Sequence, residues 1–289
     1  MRRFDARGNS VTFTWFTCGL LLVCLFSVLF PFLYVIMTSF APQEEILTRG
    51  FFLIPHHWTI NAYRYLMHNV NFLHSFYNAA YITIAGTLIN MVLTSFMAYG
   101  LSKSWLKGRK ILNFMVLFTM LFGGGIIPTY LIVKSLHLVN SYWALFLTGA
   151  IAPFHLIVLR SFFQTIPLEL EESARIDGCG ELRLFYRIIL PLSLPAIATF
   201  TLFYAVQNWN SYFNAILYLN DSSKWPLQVY LRQLLNQSDG SVESAADALQ
   251  FTPAVRMAAV VLTAAPLLMV YPFLQKYFNK GMLMGSVKG

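Results

Sequence analysis

The chain reads as an all-α, polytopic membrane protein with six transmembrane helices, and three observations carry that reading. Charged residues make up 11% of its 289 positions and hydrophobic ones 57%, whereas an ordinary soluble domain carries roughly 25% charge. Too little charge remains to clothe a soluble core of this size, and the mean hydropathy of +0.59 agrees. Six segments supply the roughly 20 apolar helical residues that a hydrocarbon core demands. They lie at about 14–38, 76–101, 111–133, 141–159, 188–210 and 257–275. The basic residues are unevenly shared between the connections, fourteen of the twenty falling in alternate ones.

Taken in order, residues 1–13 form a short tail with Arg2, Arg3 and Arg7. The first apolar run exceeds the roughly 7–15 residues of a signal peptide's core, and no A-x-A site follows, so it is expected to stay as a signal anchor. The connection from Ala41 to Ser75 holds His56, His57, His68 and His74. Their irregular spacing, with no acidic partner near, points to loop or interfacial histidines and not to a metal site. Lys103, Lys107, Arg109 and Lys110 follow the second span, and the third contains Gly123–Gly125. His155 in the fourth is the one imidazole inside a span, and none carries Asp, Glu, Lys or Arg in its middle. The connection from about Ser211 to Arg256 is polar and acidic, and residues 279–289 form a closing tail. No internal repeat or low-complexity linker divides the chain, so residues 14–278 are expected to be one membrane domain.

The clusters at the N-terminus, after the second span, between the fourth and fifth (Arg160, Arg175, Arg183, Arg187) and at the C-terminus (Lys276, Lys280, Lys288) hold the fourteen basic residues. Cytoplasmic connections carry the excess of Lys and Arg, so both termini are placed in the cytoplasm. The net charge of +8 follows from this topology. It is not a basic patch on one face, as nucleic-acid binding requires. Cys18, Cys24 and Cys179 have no CxxC spacing, which argues against a disulfide framework or a zinc site.

Residues 167–187 therefore lie on the cytoplasmic side. Pro167 suits the start of a helix, Glu169, Glu171 and Glu172 load its first turn with the charge that the dipole favours, and Gly178 is placed to end it in a left-handed cap. A second short helix starts near Glu181, and Pro191 and Pro195 lead into the fifth span. Such a stretch is either an amphipathic connector lying at the interface or a docking peg. Ser173 and Ala174, small residues on an exposed helix flanked by acids and bases, favour the peg.

Glu172-Ser173-Ala174, then Gly178, then Ile188, Leu190 and Pro191 match the E-A-A…G…I-x-L-P signature of ABC-importer permease subunits. The chain resembles the carbohydrate-uptake permeases of the maltose-permease type, and most of all the branch serving oligosaccharides and polysaccharide fragments. The likeness also covers "FPFLYVIMTSF", "AYGLSKSWLKGRK", "GGGIIPTYLIVKSLHLVNSYWAL" and "NKGMLMGSVKG". Ser173 in place of the first alanine and Cys179 where alanine is common are compact departures. The resemblance implies that Glu172, Ser173, Ala174, Asp177 and Gly178 form a coupling helix received by a cleft of an ATPase subunit. Ile188, Leu190 and Pro191 would link it rigidly to span five. It further implies that Gly281, Gly285, Lys288 and Gly289 belong to a tail reaching the ATPase pair. The partners implied are a second homologous permease, two ATPase subunits, which would use ATP and Mg, and an external solute-binding protein, in a bacterial cytoplasmic membrane.

The chain has no G-x-x-x-x-G-K-[ST] loop, so it offers no Walker-type ATP site and energy would arrive through contacts. It is expected to be no enzyme: HExxH, G-x-S-x-G and paired intramembrane carboxylates are all missing. A cargo route needs polar and aromatic groups within the bundle, and Tyr204, Gln207, Asn208, Trp209, Asn210, Tyr212 and Asn214 supply them at the outer half of span five. The same Trp and Tyr residues suit an interfacial aromatic belt equally well. The alternative function is an ATP-independent secondary transporter or channel for a small polar solute. The absence of charge from the span centres speaks against proton coupling.

Overall fold

A 29-residue helix without a charged side chain, α1 (Val11–Ser39), begins the computed structural model. The structure describes residues 11–236 and 252–286, with side chains for 13–236 and 252–271. At 1.5 Å per residue α1 runs about 44 Å, enough to cross a bilayer. None of its side chains from 13 to 37 is buried, so its apolar surface faces outward all round. The charged tail before it lies outside the described residues.

The described residues fall into two compact units. The first comprises α1, the following connection with α2 (Gln43–Arg49) and α3 (Asn61–His68), and residues 233–264. Here the connection is tied down at its corners. Ser39 and Tyr63 share a hydrogen bond of 2.6 Å, and the Thr59 N–H donates to the Phe40 carbonyl at 2.8 Å. Glu45 is buried and accepts the backbone N–H groups of both His56 and His57. An acid therefore does stand beside this histidine pair, contrary to the expectation from the sequence, but it holds their backbone and not their rings.

The second unit is built on α4 (Val70–Ser102), an unbroken 33-residue helix about 50 Å long. Its buried stripe runs Ala79, Ile82, Gly86, Asn90, Thr94, Ala98, the three-to-four spacing of one helix face. Small residues on such a stripe let neighbouring backbones approach, as in membrane helix packing.

The next three predicted spans are not straight helices. The third is α5 (Arg109–Leu121) and α6 (Ile126–Ser135), bent by 117°. Its break at Phe122–Gly125 follows from three glycines, poor helix formers, with Gly125 at φ +82°. The fourth is α7 (Tyr142–Thr148) and α8 (Pro153–Phe163), bent by 53°. Pro153 begins α8 and cannot donate a hydrogen bond back into α7. The fifth region comprises α9 (Leu168–Ile176), α10 (Glu181–Leu184), a π-helical turn (Phe185–Ile189), α11 (Leu190–Leu192) and α12 (Leu194–Trp209). An 85° bend separates residues 181–192 from α12. Short helices α13 (Phe213–Tyr218) and α14 (Leu227–Asn236) follow, and α15 (Pro253–Ser286) closes the chain. Among the described residues three helices (α1, α4 and the first 19 residues of α15) are singly long and apolar enough to span, and the count reaches six if each bent pair is one span.

One core cluster of this unit joins Leu156, Leu159 and Phe163 of α8 to Leu184, Phe185, Ile189, Phe200 and Tyr204. A second joins Ile82, Val133, Phe146, Tyr218 and Val229, packing α4, α6, α7, α13 and α14 together. The α15 backbone stays helical past the tail boundary expected at residue 279, so Gly281 and Gly285 sit on a helix; Lys288 and Gly289 lie outside the described residues. The acidic stretch 237–251 also lies outside them.

Candidate functional site

The helix–turn–helix expected at 167–187 is present, with α9 starting after Pro167 and α10 at Glu181. Its corner is a complete Schellman motif. Gly178 has φ +79°, its N–H donates to the Arg175 carbonyl at 3.0 Å, and the Cys179 N–H donates to the Ala174 carbonyl at 2.9 Å. Both bonds satisfy carbonyls that the helix end would otherwise orphan. The free face of α9 presents Glu172, Ser173, Ile176 and Asp177, with Ile176 86% exposed. Ala174 does not belong to that face. It is buried in the chain's own core, because it is one turn from Glu171, the other inward position of α9. The free face is thus a mixed one, with a bare isoleucine among polar groups.

What holds α9 in place was not visible in the sequence. Glu171, read as a dipole-favoured acid, points inward and forms an ion pair of 2.6 Å with Lys103, both side chains being 7% exposed. The Lys103 ammonium also lies 4.2 Å from the centre of the Tyr99 ring, in cation–π range. The Tyr99 hydroxyl donates to Glu181 Oε2 at 2.8 Å, and Arg175 donates to Glu181 Oε1 at 2.9 Å while standing 3.7 Å from Glu171. Five residues thereby join the end of α4 to both helices of the peg. A cavity of about 640 Å³ opens beside them, lined by Ser102, Gln164, Pro167, Glu169 and Glu172 among others.

The link onward is less straight than the resemblance implies. Ile188 lies in the π-helical turn and Leu190 in α11, both half-buried, while Pro191 is exposed. The anchoring residues are their neighbours Leu184, Phe185 and Ile189, each at most 1% exposed. The 85° bend at Ser193 then separates this segment from α12.

Toward the other end of the unit, the break between α7 and α8 frees backbone groups that lipid cannot satisfy. Side chains of α4 and α12 take them up. Asn90 donates to the carbonyls of Gly149 and Ala150 at 2.7 and 3.0 Å. The Tyr204 hydroxyl accepts the Ala152 N–H at 2.9 Å and pairs with Thr94 at 2.7 Å. Asn208 donates to Asn90 at 2.9 Å and to Thr87 at 3.2 Å.

The residues expected along a cargo route divide accordingly. Gln207, Asn208, Asn210, Tyr212 and Asn214 line one recess of about 190 Å³. Tyr204 and Trp209 do not line it. Tyr204 is wholly buried by its two hydrogen bonds, and Trp209, 6% exposed, packs its ring edge-on to Phe76 at 5.8 Å. Residues beyond the recess are cross-tied: Asn140 accepts the Asp221 N–H at 3.1 Å and the Lys224 ammonium at 2.8 Å. Asn78 donates to the carbonyls of Ser223 and Trp225. Among the described residues no group of three or more His, Cys, Asp or Glu is placed to hold a metal ion.

Comparison with known proteins assigns this architecture. Residues 15–284 match the family described as binding-protein-dependent transport system inner membrane component. The chain is 51% identical over 275 residues to the polygalacturonan/rhamnogalacturonan transport system permease protein YtcP of Bacillus subtilis (strain 168), covering 94% of this chain and 96% of that one. It is 52% identical over 262 residues to Protein LplC of the same organism, covering 90% and 89%. A crystal structure of a bacterial ABC transporter involved in the import of the acidic polysaccharide alginate contains a chain with TM-score 0.88 and 32% identity, covering 96% of this chain and 99% of that one. The peg with its left-handed glycine corner and the broken, polar-stitched helices thus belong to a permease subunit of an ABC importer, and the chain is a member of the binding-protein-dependent transport system inner membrane component family.

Proposed function

We propose that this subunit forms one half of the route by which a uronate-bearing oligosaccharide or polysaccharide fragment crosses a bacterial cytoplasmic membrane. Its partners are a second homologous permease, two ATPase subunits that use ATP and Mg, and an external solute-binding protein. The observation that carries the reading is the free face of α9, where Glu172, Ser173, Ile176 and Asp177 are offered outward from a helix whose opposite side is locked into the chain. An isoleucine left 86% exposed at a cytoplasmic helix end suits a protein cleft better than water. Differential contact of this face with open and closed ATPase states is what does the work. Membership of the family displaces the carrier or channel alternative.

The cargo class rests on the relatives: one is named for polygalacturonan and rhamnogalacturonan, the other takes part in alginate import, and these are acidic polysaccharides. Gln207, Asn208, Asn210 and Tyr212 would meet the cargo, their amides and phenol being able to bond hydroxyls. The tail residues Gly281, Gly285 and Lys288 would reach the ATPase pair. Affinity purification of the tagged chain in mild detergent tests the assembly. Recovery of a Walker-containing ATPase and a second six-span permease is expected, with ATP-dependent uptake of oligogalacturonate after reconstitution. A chain that purifies alone and transports without ATP would sink the proposal.

A further inference from the structure

We propose that Lys103 and Glu171 act as a strut through which the coupling helix moves α4 directly, beside the route through α12. The inference rests on the reading of α9 as the ATPase-facing helix. The two routes differ in stiffness. From α10 the chain reaches α12 through a π-helical turn, a three-residue helix and an 85° bend at Ser193. From α9 the connection to the residue that directly follows α4 is a single ion pair of 2.6 Å with both side chains 7% exposed. Parting such a pair leaves a charge buried without compensation, which is far costlier than parting an exposed one. The Tyr99–Glu181 hydrogen bond of 2.8 Å ties α10 to the same helix end, so both arms of the peg are fastened to α4.

The middle of α4 meets the cargo recess. Thr87 and Asn90 hold Asn208, which lines that recess, and Asn90 also holds the broken backbone at Gly149 and Ala150. Lys103 directly follows the last residue of α4 and its N–H still donates to the Gly100 carbonyl at 3.2 Å; from Ser102 back to Asn90 the helix is unbroken over about 18 Å. A displacement of α9 that carries Lys103 therefore crosses only the one-residue junction at the end of α4 before it reaches Asn90. Lys103 and Glu171 are positioning residues in this account: neither lies on the free face of α9, and both act through α4.

The test uses the complete assembly in lipid nanodiscs with cargo-loaded binding protein, reading the ratio of stimulated to unstimulated ATP hydrolysis. Lys103→Met and Glu171→Gln should each lower that ratio about three- to tenfold, within the range that mutations along a coupling path produce. The double variant should be no worse than the poorer single one, and Lys103→Arg should keep most of the ratio. An unchanged ratio in Lys103→Met, or losses that multiply in the double variant, would overturn the strut. Should Lys103→Met lose the ATPase during purification, Lys103→Gln, which keeps a donor to Glu171, replaces it; loss of the ATPase there too would mean an anchoring role only and would also overturn the proposal. A wild-type assembly without any stimulation would remove the coupling reading itself, an outcome distinct from a stimulated wild type with indifferent variants.

Discussion

Asn208 donates to Asn90 across 2.9 Å, and Asn90 passes its own two protons to the carbonyls of Gly149 and Ala150. One amide thus faces the recess while the next repairs a broken membrane helix. The contact is close enough that a Cβ on Gly86 would fall 2.9 Å from the Asn208 amide nitrogen, so glycine there is a condition of the arrangement.

The two asparagines should respond differently to replacement. Asn90→Leu strands two half-buried carbonyls, each worth up to about 1–3 kcal/mol when left unsatisfied, and should lower the thermal midpoint in detergent clearly. Asn208→Ala removes two donated bonds from a half-buried place, and interhelical hydrogen bonds in membranes average only about 0.6 kcal/mol each. Its main effect should fall on the concentration dependence of uptake. Equal melting losses in the two variants, with uptake constants unchanged, would contradict this division.

Tyr204 offers the complementary case. Its hydroxyl serves Thr94 and the Ala152 N–H and is wholly buried, so Tyr204→Phe leaves both partners unpaired and should destabilise by about 1–3 kcal/mol. The apparent affinity for cargo should be unaltered once uptake is normalised to protein in the membrane. A shift in that affinity with unchanged melting would return Tyr204 to the cargo route.

These residues mark how far the sequence could be read. Local signals were legible: apolar runs coincide with α1, α4 and the first part of α15, Pro167 and Gly178 bounded α9, and Glu181 began α10. The kinks carried signals as well, since Gly123–Gly125 and the Gly149–Pro153 bracket sit at the breaks, but an apolar run looks continuous whether or not the helix is. Pairings across long stretches were not legible. Lys103 and Glu171 are 68 positions apart, and each has a sufficient local reading, one as a cytoplasmic base and the other as an acid at a helix start. Ala174 misled for a related reason: a small residue in a charged helix looks exposed until the helix is given a face.

The connection between α1 and α4 carries a pH dependence of its own. Glu45 takes the backbone N–H of His56 at 2.9 Å and of His57 at 3.3 Å, with Arg49 at 2.7 Å, and these donors hold its pKa down to about 2, the His56 N–H chief among them. A carboxyl depressed in the folded state stabilises fully above its unfolded value, near 4.5, and that contribution is lost as pH falls through the folded value. The difference in thermal midpoint between the wild type and Glu45→Gln should therefore be constant above about pH 5 and shrink progressively toward pH 2. A difference that stays flat across that window would mean the carboxylate does not hold the loop.

Gly178 isolates the geometry of the peg from its chemistry. With φ +79° and no atom within 4 Å of the place a Cβ would take, the site has room for any side chain, so the penalty of substitution lies in the backbone. A left-handed residue with a Cβ costs roughly 1–2 kcal/mol, and a β-branched one is the worst suited, whereas asparagine is the usual second choice at such a cap. Gly178→Val should insert and fold, since the helices around it keep their core, yet lose transport-coupled ATP hydrolysis because the Schellman corner opens and α9 is misdirected. Gly178→Asn, bulkier than alanine and polar, should keep most of it. Side-chain size would order the variants differently, with alanine best and asparagine and valine alike. Hydrolysis rates for the three substitutions in the assembled importer thus separate a conformational requirement at Gly178 from a steric one, and normal coupling in Gly178→Val would remove the corner from the mechanism.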